Sequence, residues 1–331
     1  MLARARRLVS APLQDAVLRL EPDLARICGY HFGWSDRAGQ PTGEHGAGKL
    51  LRASLALLAA TGTGADPGRA VPGAVAVELI HNFSLIHDDI MDADEQRRGR
   101  PTAWVVFGTG LATLAGDALV AAALRQVEEA ENGQRHRAHA ILVAALTSMI
   151  DGQSADLALE RRGVEEVSVE HYLRACDKTT ALLEASTATG AVLAGAGEPT
   201  VAALREAARN LGLSWQVAND VEDIWGDTRV TGKPARSDLR RTKKTIPVIL
   251  ALRSGHPDGA RLAGMLRTRT EEWTDDDLQT QADLIEGAGG RAAAEQLSRR
   301  YLDVALDHVG RAGLRPESQR ELTELFRFVV R

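Results

Sequence analysis

Cysteine, aromatic residues, strong net charge and long apolar runs are all scarce or missing in this chain of 331 residues. Only Cys28 and Cys176 occur, which excludes a disulfide framework or a thiolate metal site and makes a reducing cytoplasm the expected setting. Aromatic residues are 4% of the chain, which weighs mildly against a cavity walled with rings that cradle cations. The 40 basic and 45 acidic residues leave a net charge of −5, so nothing global recruits nucleic acid or an anionic membrane, and any polyanion must be held by local basic groups. No apolar run approaches the roughly 18 to 20 residues of a membrane span. The N-terminal stretch MLARARRLVSAPLQDAVLRL is basic, but Pro12, Gln14 and Asp15 interrupt it. It lacks the apolar core of a signal peptide and is expected to form an amphipathic first helix. No Ser-His-Asp or Cys-His constellation suggests a side-chain nucleophile.

Helical pattern is what the chain has in abundance. Ala, Leu, Glu and Arg dominate, all good helix formers. In AVAVELIHNFSLIHDDIMD, Val75, Leu79, Asn82, Phe83 and Ile86 follow three- and four-residue spacings, the period of an amphipathic helix. HYLRACDKTTALLEASTATGAVLAGAG carries another long apolar stripe and stops at glycines, a helix-end signal. Alternating strand runs are absent. Breaks at 29–46, 62–73, 94–102, 130–134, 161–168 and 228–242 are too short and too mixed to be linkers. The expectation is one all-α domain spanning 1–331, with ten or more helices. The polar stretch HPDGARLAGMLRTRTEEWTDDDLQ is the hardest part to divide.

Two helices end in oxygen-rich faces. Asp88, Asp89 and Asp92 form a DDxxD pattern; on a helix Asp88 and Asp92 project together, with Asp89 flanking. Adjacent carboxylates repel and need a counter-charge. Mg²⁺ takes one or two carboxylates, several waters and substrate phosphates. A solvated helix end would explain one such run. A second run, LSWQVANDVEDIWGD, weakens that explanation: Asn219, Asp223 and Asp227 recur four apart, with Asp220 and Glu222 beside them. The two faces are expected to meet across a cavity and bind divalent ions bridged by a polyphosphate. Basic residues complete the pattern: Lys49 and Arg52 in GAGKLLRASL, Arg97 and Arg98, Lys178 with Thr179, Lys233, and Lys243 with Lys244 in DLRRTKKTIP. Arginine grips phosphate bidentately and lysine acts as a point charge. Each basic pair alone is more often a surface feature; their occurrence with two acidic faces is what singles them out.

These segments, from GAGKLLRASLALLAA to KKTIPVILAL, resemble the isoprenyl (polyprenyl) diphosphate synthases over nearly the whole chain. The resemblance implies an all-α helical bundle around a deep central cavity, a homodimer, and three Mg²⁺ per active site. It implies that Asp88, Asp92 and their neighbour Asp89 bind metal, as do Asn219, Asp220 and Asp223. Arg97 resembles the arginine on the allylic diphosphate. Arg98, Lys49, Arg52 and His81 match the isopentenyl diphosphate site. Lys178, Thr179, Gln216 and Lys233 match allylic-substrate and cation-facing positions, and Lys243 the lysine of a closing DLxxGKxT element. There are departures. Leu50 and Ala53 replace an arginine and a proline of GKRxRP, Trp215 stands for phenylalanine, and Thr242 replaces glycine. Asn219 replaces the first aspartate of the second DDxxD, which implies weaker binding of the third metal.

The implied reaction extends a chain by five carbons. Allylic diphosphate ionises, the double bond of isopentenyl diphosphate attacks the carbocation, and a proton leaves, to the released pyrophosphate. Phe83 lies five residues before Asp88, about 7.5 Å along a helix axis; its ring is expected to floor the elongation cavity, with Ser84 leaving room beside it. An aromatic and a small residue there, with no insertion in DDxxD, resemble synthases of geranylgeranyl diphosphate, with farnesyl diphosphate second. His87 is expected to be an ordinary hydrogen-bonded histidine. Gly116-Asp117 fits the family as a helix-start or packing feature, and Gly152-Gln153 with Asp156 as a cavity-wall element. Two other readings remain open: a terpene cyclase using Asn219, Asp223 and Asp227, and a non-catalytic regulatory subunit of a prenyl synthase.

Overall fold

The computed structural model describes residues 2–43, 48, 50–130, 133–227, 235–268 and 272–330; Lys49 and Lys233 lie outside them. The chain is all-α, apart from one pair of two-residue strands and an isolated bridge between Ser35 and Pro41. It divides into two compact units. One comprises residues 1–146, 182–205 and 309–322; the other comprises 147–181, 206–308 and 323–331.

In the first unit α1 (Leu2–Leu18) buries Ala5, Val9, Leu13, Ala16 and Val17, the one-sided stripe expected of an amphipathic helix. Helix α2 (Pro22–Phe32) is capped by Glu21, whose carboxylate accepts from the N–H groups of Asp23 and Leu24, and is closed by Gly33 at φ 79°. Helix α3 (Leu51–Gly62) and a 3₁₀ turn (Pro67–Ala70) lead to α4 (Val71–Met91). Every residue of α4 from Gly73 to Ile80 is buried, so this half is enclosed on all sides. Beyond it only Asn82, Ile86 and Asp89 stay buried. The spacing is again three and four, so α4 ends with one face packed and one open.

A two-strand hairpin follows, β1 (Gln96–Arg97) and β2 (Arg100–Pro101), antiparallel with Arg97 opposite Arg100. Its tip, Arg98-Gly99, has φ 55° and 74°, the double left-handed conformation that matches strand twist in tight hairpins. Two-residue strands are too short to show alternation, so the sequence pattern did not reveal them. Then come α5 (Ala103–Phe107) and α6 (Thr109–Glu128), which packs along α4. The long helices α7 (Arg135–Arg161), α8 (Val169–Leu193) and α9 (Glu198–Trp225) continue the chain.

The second unit contains α10 (Ser237–Arg240), α11 (Ile246–Arg253), α12 (Pro257–Arg267) and α13 (Asp275–Gly287); α14 (Gly290–Arg311) and α15 (Pro316–Val329) end the chain. Its apolar clusters centre on Trp273, Leu278 and Ile285, and on Tyr172, Val217 and Ile249. The stretch that resisted division from sequence is resolved by a capping box: Thr274 Oγ1 accepts from the Asp277 N–H, and the Asp277 side chain accepts from the Thr274 N–H. Such reciprocal bonds satisfy the orphan donors of a helix start. Among the described residues no helix is long and apolar enough to cross a membrane.

Candidate active site

In the first unit the open end of α4 brings opposite charges together. Asp89, 1% exposed, holds Arg97: the guanidinium Nε and a terminal nitrogen both bond Asp89 Oδ1, at 2.8 and 2.7 Å. Burial pushes the Asp89 carboxyl up, and Arg97 opposes that shift. The second oxygen, Oδ2, is buried without a hydrogen-bond partner. Asp88 and Asp92 flank it; the Asp92 N–H, at the helix cap, donates to the Asp88 carbonyl at 2.8 Å. The hairpin that carries Arg97 and Arg98 is braced from α2. Arg100 lies 4.5 Å over the Tyr30 ring, and the Tyr30 hydroxyl donates to the Pro101 carbonyl at 2.8 Å.

Two turns up α4 the environment turns cationic. Arg52, Arg97 and Arg98 act electrostatically on His81, whose ring is held neutral well below its usual range by burial and by these arginines. His31, on α2, is pushed down to about 3, first by burial, then by Arg97 and Arg98, while the Asn82 side chain opposes the shift. A cavity of about 110 Å³ is lined by His31, Asp89, Arg97, Arg98, Arg100 and Tyr30, among others. Arginines kept charged beside neutral imidazoles form an anion receptor: the imidazole can donate a hydrogen bond without competing for counter-charge.

Among the described residues Glu78 is the buried acid opposing Arg52 there. It is 3% exposed and accepts from the Ala53 N–H at 2.9 Å. That N–H belongs to the first turn of α3, where Leu50 offers no side-chain cap, so a glutamate from α4 satisfies a helix-terminal donor. Burial raises the Glu78 carboxyl and lowers the Arg52 guanidinium, each partly offset by the other. Arg52 Nε is buried without a partner.

The second unit holds a separate polar cavity of about 150 Å³, lined by residues that include Asp156, Tyr172, Lys178, Gln216, Asp220 and Lys243. Lys178 is ion-paired with Asp156. A hydrogen-bond relay runs along α8 and α9: Thr179 Oγ1 donates to Gln216 Oε1 at 3.4 Å, and Gln216 Nε2 donates to Asp220 Oδ1 at 3.3 Å. Asp220 Oδ2 accepts from the Ile246 N–H at 3.1 Å. Burial pushes Asp220 up to about 7, with Asp238 adding to the rise and the nearby Tyr172 hydroxyl and the bonds from Ile246 and Gln216 opposing it. Asp223 accepts from Ser237 Oγ at 2.5 Å and from the Asp238 N–H at 3.0 Å. Asn219, half-buried, shares α9 with both. Lys243 Nζ lies 3.8 Å from Glu160, and Lys244 bonds the Glu160 carbonyl. A methyl on Gly152 would sit 2.2 Å from the Lys178 backbone nitrogen; glycine there lets α7 approach the helix that carries Lys178.

Thr242, in the place of a glycine, adopts φ 58°, a region that opposes β-branched residues. Its hydroxyl accepts from Trp273 Nε1 at 3.2 Å, a bond that glycine could not make. His31, Glu78 and Tyr172 were not singled out from sequence. Glu78 had a signal, a lone acid within the apolar run AVAVELI; His31 and Tyr172 had none.

Mg²⁺ fits the end of α4. The donors there are hard carboxylate oxygens, and Asp89 Oδ2 is buried and unpartnered. Among the described residues no three carboxylate, thiol or imidazole groups converge closely enough to hold an ion by themselves. Mg²⁺ is commonly held by only one or two carboxylates, with waters and substrate phosphates as its other ligands. The oxygens of Asp220 and Asp223 already serve protein donors, but each keeps a second lone pair, so those bonds orient the carboxylates without excluding an ion.

The family model for polyprenyl synthetase matches residues 42–282. A (2E,6E)-farnesyl diphosphate synthase of Mycobacterium tuberculosis is 40% identical over 333 residues, covering 100% of this chain and 92% of that enzyme. A geranylgeranyl diphosphate synthase of the same organism is 40% identical over 308 residues, covering 92% and 87%. A crystal structure of a polyprenyl synthetase from Streptomyces coelicolor superposes with a TM-score of 0.94 at 41% identity, covering 99% of this chain and 98% of that one.

Proposed function

From the premise that this chain belongs to the polyprenyl synthetase family and is a prenyltransferase, we propose that it joins isopentenyl diphosphate head-to-tail to an allylic diphosphate and makes geranylgeranyl diphosphate. The observation that carries this reading is the junction in the first unit: carboxylates suited to a cation at the end of α4, and Arg52, His81, Arg97 and Arg98 suited to an anion beside them. A cyclase acting on a single allylic diphosphate has no use for that second receptor, and a non-catalytic subunit has no use for the intact carboxylates.

In this reading Asp88, Asp89 and Asp92 would hold Mg²⁺ with the allylic diphosphate, and Asn219, Asp220 and Asp223 keep the metal-ligand role that the family resemblance gives them. Bound Mg²⁺ supplies neutralisation of the charge that builds on departing pyrophosphate. Arg97, fixed by Asp89, presents its remaining N–H groups to the same oxygens. Arg52, Arg98, His81 and Lys49 hold isopentenyl diphosphate. Lys178, Lys233 and Lys243 add positive charge for the leaving group. The carbonyl of Gln216 and the hydroxyl of Thr179 present oxygen dipoles to the allylic cation. The C–O bond to diphosphate breaks with its electron pair, the isopentenyl double bond supplies the pair for the new C–C bond, and a proton departs to the released pyrophosphate.

Product length is the finer part of the proposal. Relatives named for farnesyl and geranylgeranyl products are equally identical to this chain. Phe83, half-buried on the open face of α4, with Ser84 folded back by a bond from its hydroxyl to the His81 carbonyl at 2.8 Å, supports geranylgeranyl diphosphate. Farnesyl diphosphate is the second reading. A homodimer is supported by the exposed apolar side chains Val105, Leu111 and Leu114 on α5 and α6, surface that a second copy would cover.

The test is product analysis after incubating the purified protein with Mg²⁺, isopentenyl diphosphate and each allylic diphosphate in turn. A diphosphate longer by five-carbon steps, ending at geranylgeranyl, is expected. A cyclic hydrocarbon from one substrate alone, or no product, overturns the reading.

A further inference from the structure

Phe83 does not stand alone on α4. One turn on, the ring of His87 meets it edge to face, with centroids 4.7 Å apart and planes at 64°. The imidazole is pinned by the neighbouring helix. His87 Nε2 lies 3.1 Å from the Thr113 carbonyl of α6; a carbonyl oxygen only accepts, so Nε2 carries the hydrogen. The same nitrogen is 3.7 Å from Asp117 Oδ1. The ring has room there because residue 116 is glycine: a β-carbon at Gly116 would lie 2.3 Å from Nε2. The α6 main chain, the bare surface of Gly116 and the Phe83 ring thus immobilise one imidazole.

We propose that His87 is a positioning residue for product length, a clamp anchored on the Thr113 carbonyl and seated against Gly116 that holds the Phe83 ring across the path of the growing chain. This rests on the reading of Phe83 as the floor of the elongation cavity. Aromatic side chains turn between staggered rotamers unless neighbours hold them. A floor made of one half-buried ring therefore needs a second group to keep it closed. His87 meets the ring directly, and Gly116 acts by giving His87 its seat.

The experiment compares product-length distributions for Phe83→Ala, His87→Gln, Gly116→Ala and the double variant Phe83→Ala/His87→Gln, with thermal unfolding in parallel. Glutamine places an amide nitrogen near the position of Nε2, so the tie to α6 and the fold persist while the ring contact is lost. In His87→Gln the fraction of product at least one isoprene unit longer should rise several-fold with little change in Tm. Gly116→Ala, which displaces the imidazole, should shift products the same way. The double variant should match Phe83→Ala alone, because the clamp acts only through that ring. Longer products in Phe83→Ala but wild-type products in His87→Gln overturn this inference and leave the floor standing. Unchanged products in Phe83→Ala overturn both, and additive lengthening in the double variant overturns the clamp.

Discussion

Asp220 makes the metal-free protein less stable as pH rises, and the size of the effect follows from its surroundings. The side chain is 3% exposed, and burial drives its pKa from 3.8 to about 7 against the bonds from Ile246 and Gln216 and the nearby Tyr172 hydroxyl. Between those values the folded protein keeps the proton while the unfolded chain has released it. The folded state then binds more protons, so stability falls with rising pH. At about 1.36 kcal/mol for each pH unit the whole interval is worth on the order of 4 kcal/mol, absent below pH 4 and complete above pH 7. Asp220→Asn is neutral at every pH and can still accept from the Ile246 N–H. Urea unfolding of chelator-treated protein from pH 4.5 to 8 is the assay, read as the difference between variant and wild type so that other titrating groups cancel. The variant should gain stability relative to wild type as pH rises, by a few kcal/mol in total, while losing activity with Mg²⁺. A difference that stays constant with pH refutes the reasoning.

Two further outcomes are expected. Glu78→Ala strands the Ala53 N–H and leaves Arg52 without its buried counter-charge, a loss of about 3–5 kcal/mol that thermal unfolding will detect; Glu78→Gln, which keeps an acceptor for Ala53, should recover part of it. Asp88→Ala should lower kcat by roughly 10²–10³-fold, the usual cost of removing one stabilising group from developing charge, with Tm little changed because Asp88 is only half-buried; steady-state kinetics with isopentenyl diphosphate checks it.

Much of this was legible in the sequence because helical period and side-chain chemistry are local. The stripe through Val75, Leu79, Asn82 and Ile86 gave α4, and the DDxxD run marked its end. Tertiary geometry was less accessible. His31 lies on α2, far in sequence from Arg97 and Arg98, and nothing in CGYHF marks it as part of an anion receptor. The Arg98-Gly99 hairpin was hidden by the shortness of its strands. Thr242 was visible as a departure from a glycine pattern, but not the left-handed backbone it must adopt or the indole that holds it there. Gly116 and Gly152 were noticed as fragments; what they permit, His87 against α6 and Lys178 against α7, depends on helices that meet only after folding.

The capping of α3 by Glu78 has a consequence for assembly. At the start of α3 Leu50 supplies no side-chain acceptor, and the Ala53 N–H is satisfied by a carboxylate 25 residues later in the chain. During synthesis α3 therefore waits, its leading amide open to water, until α4 docks. Arg52 shares that first turn, so its buried counter-charge arrives with the same docking of α4 that satisfies the Ala53 N–H.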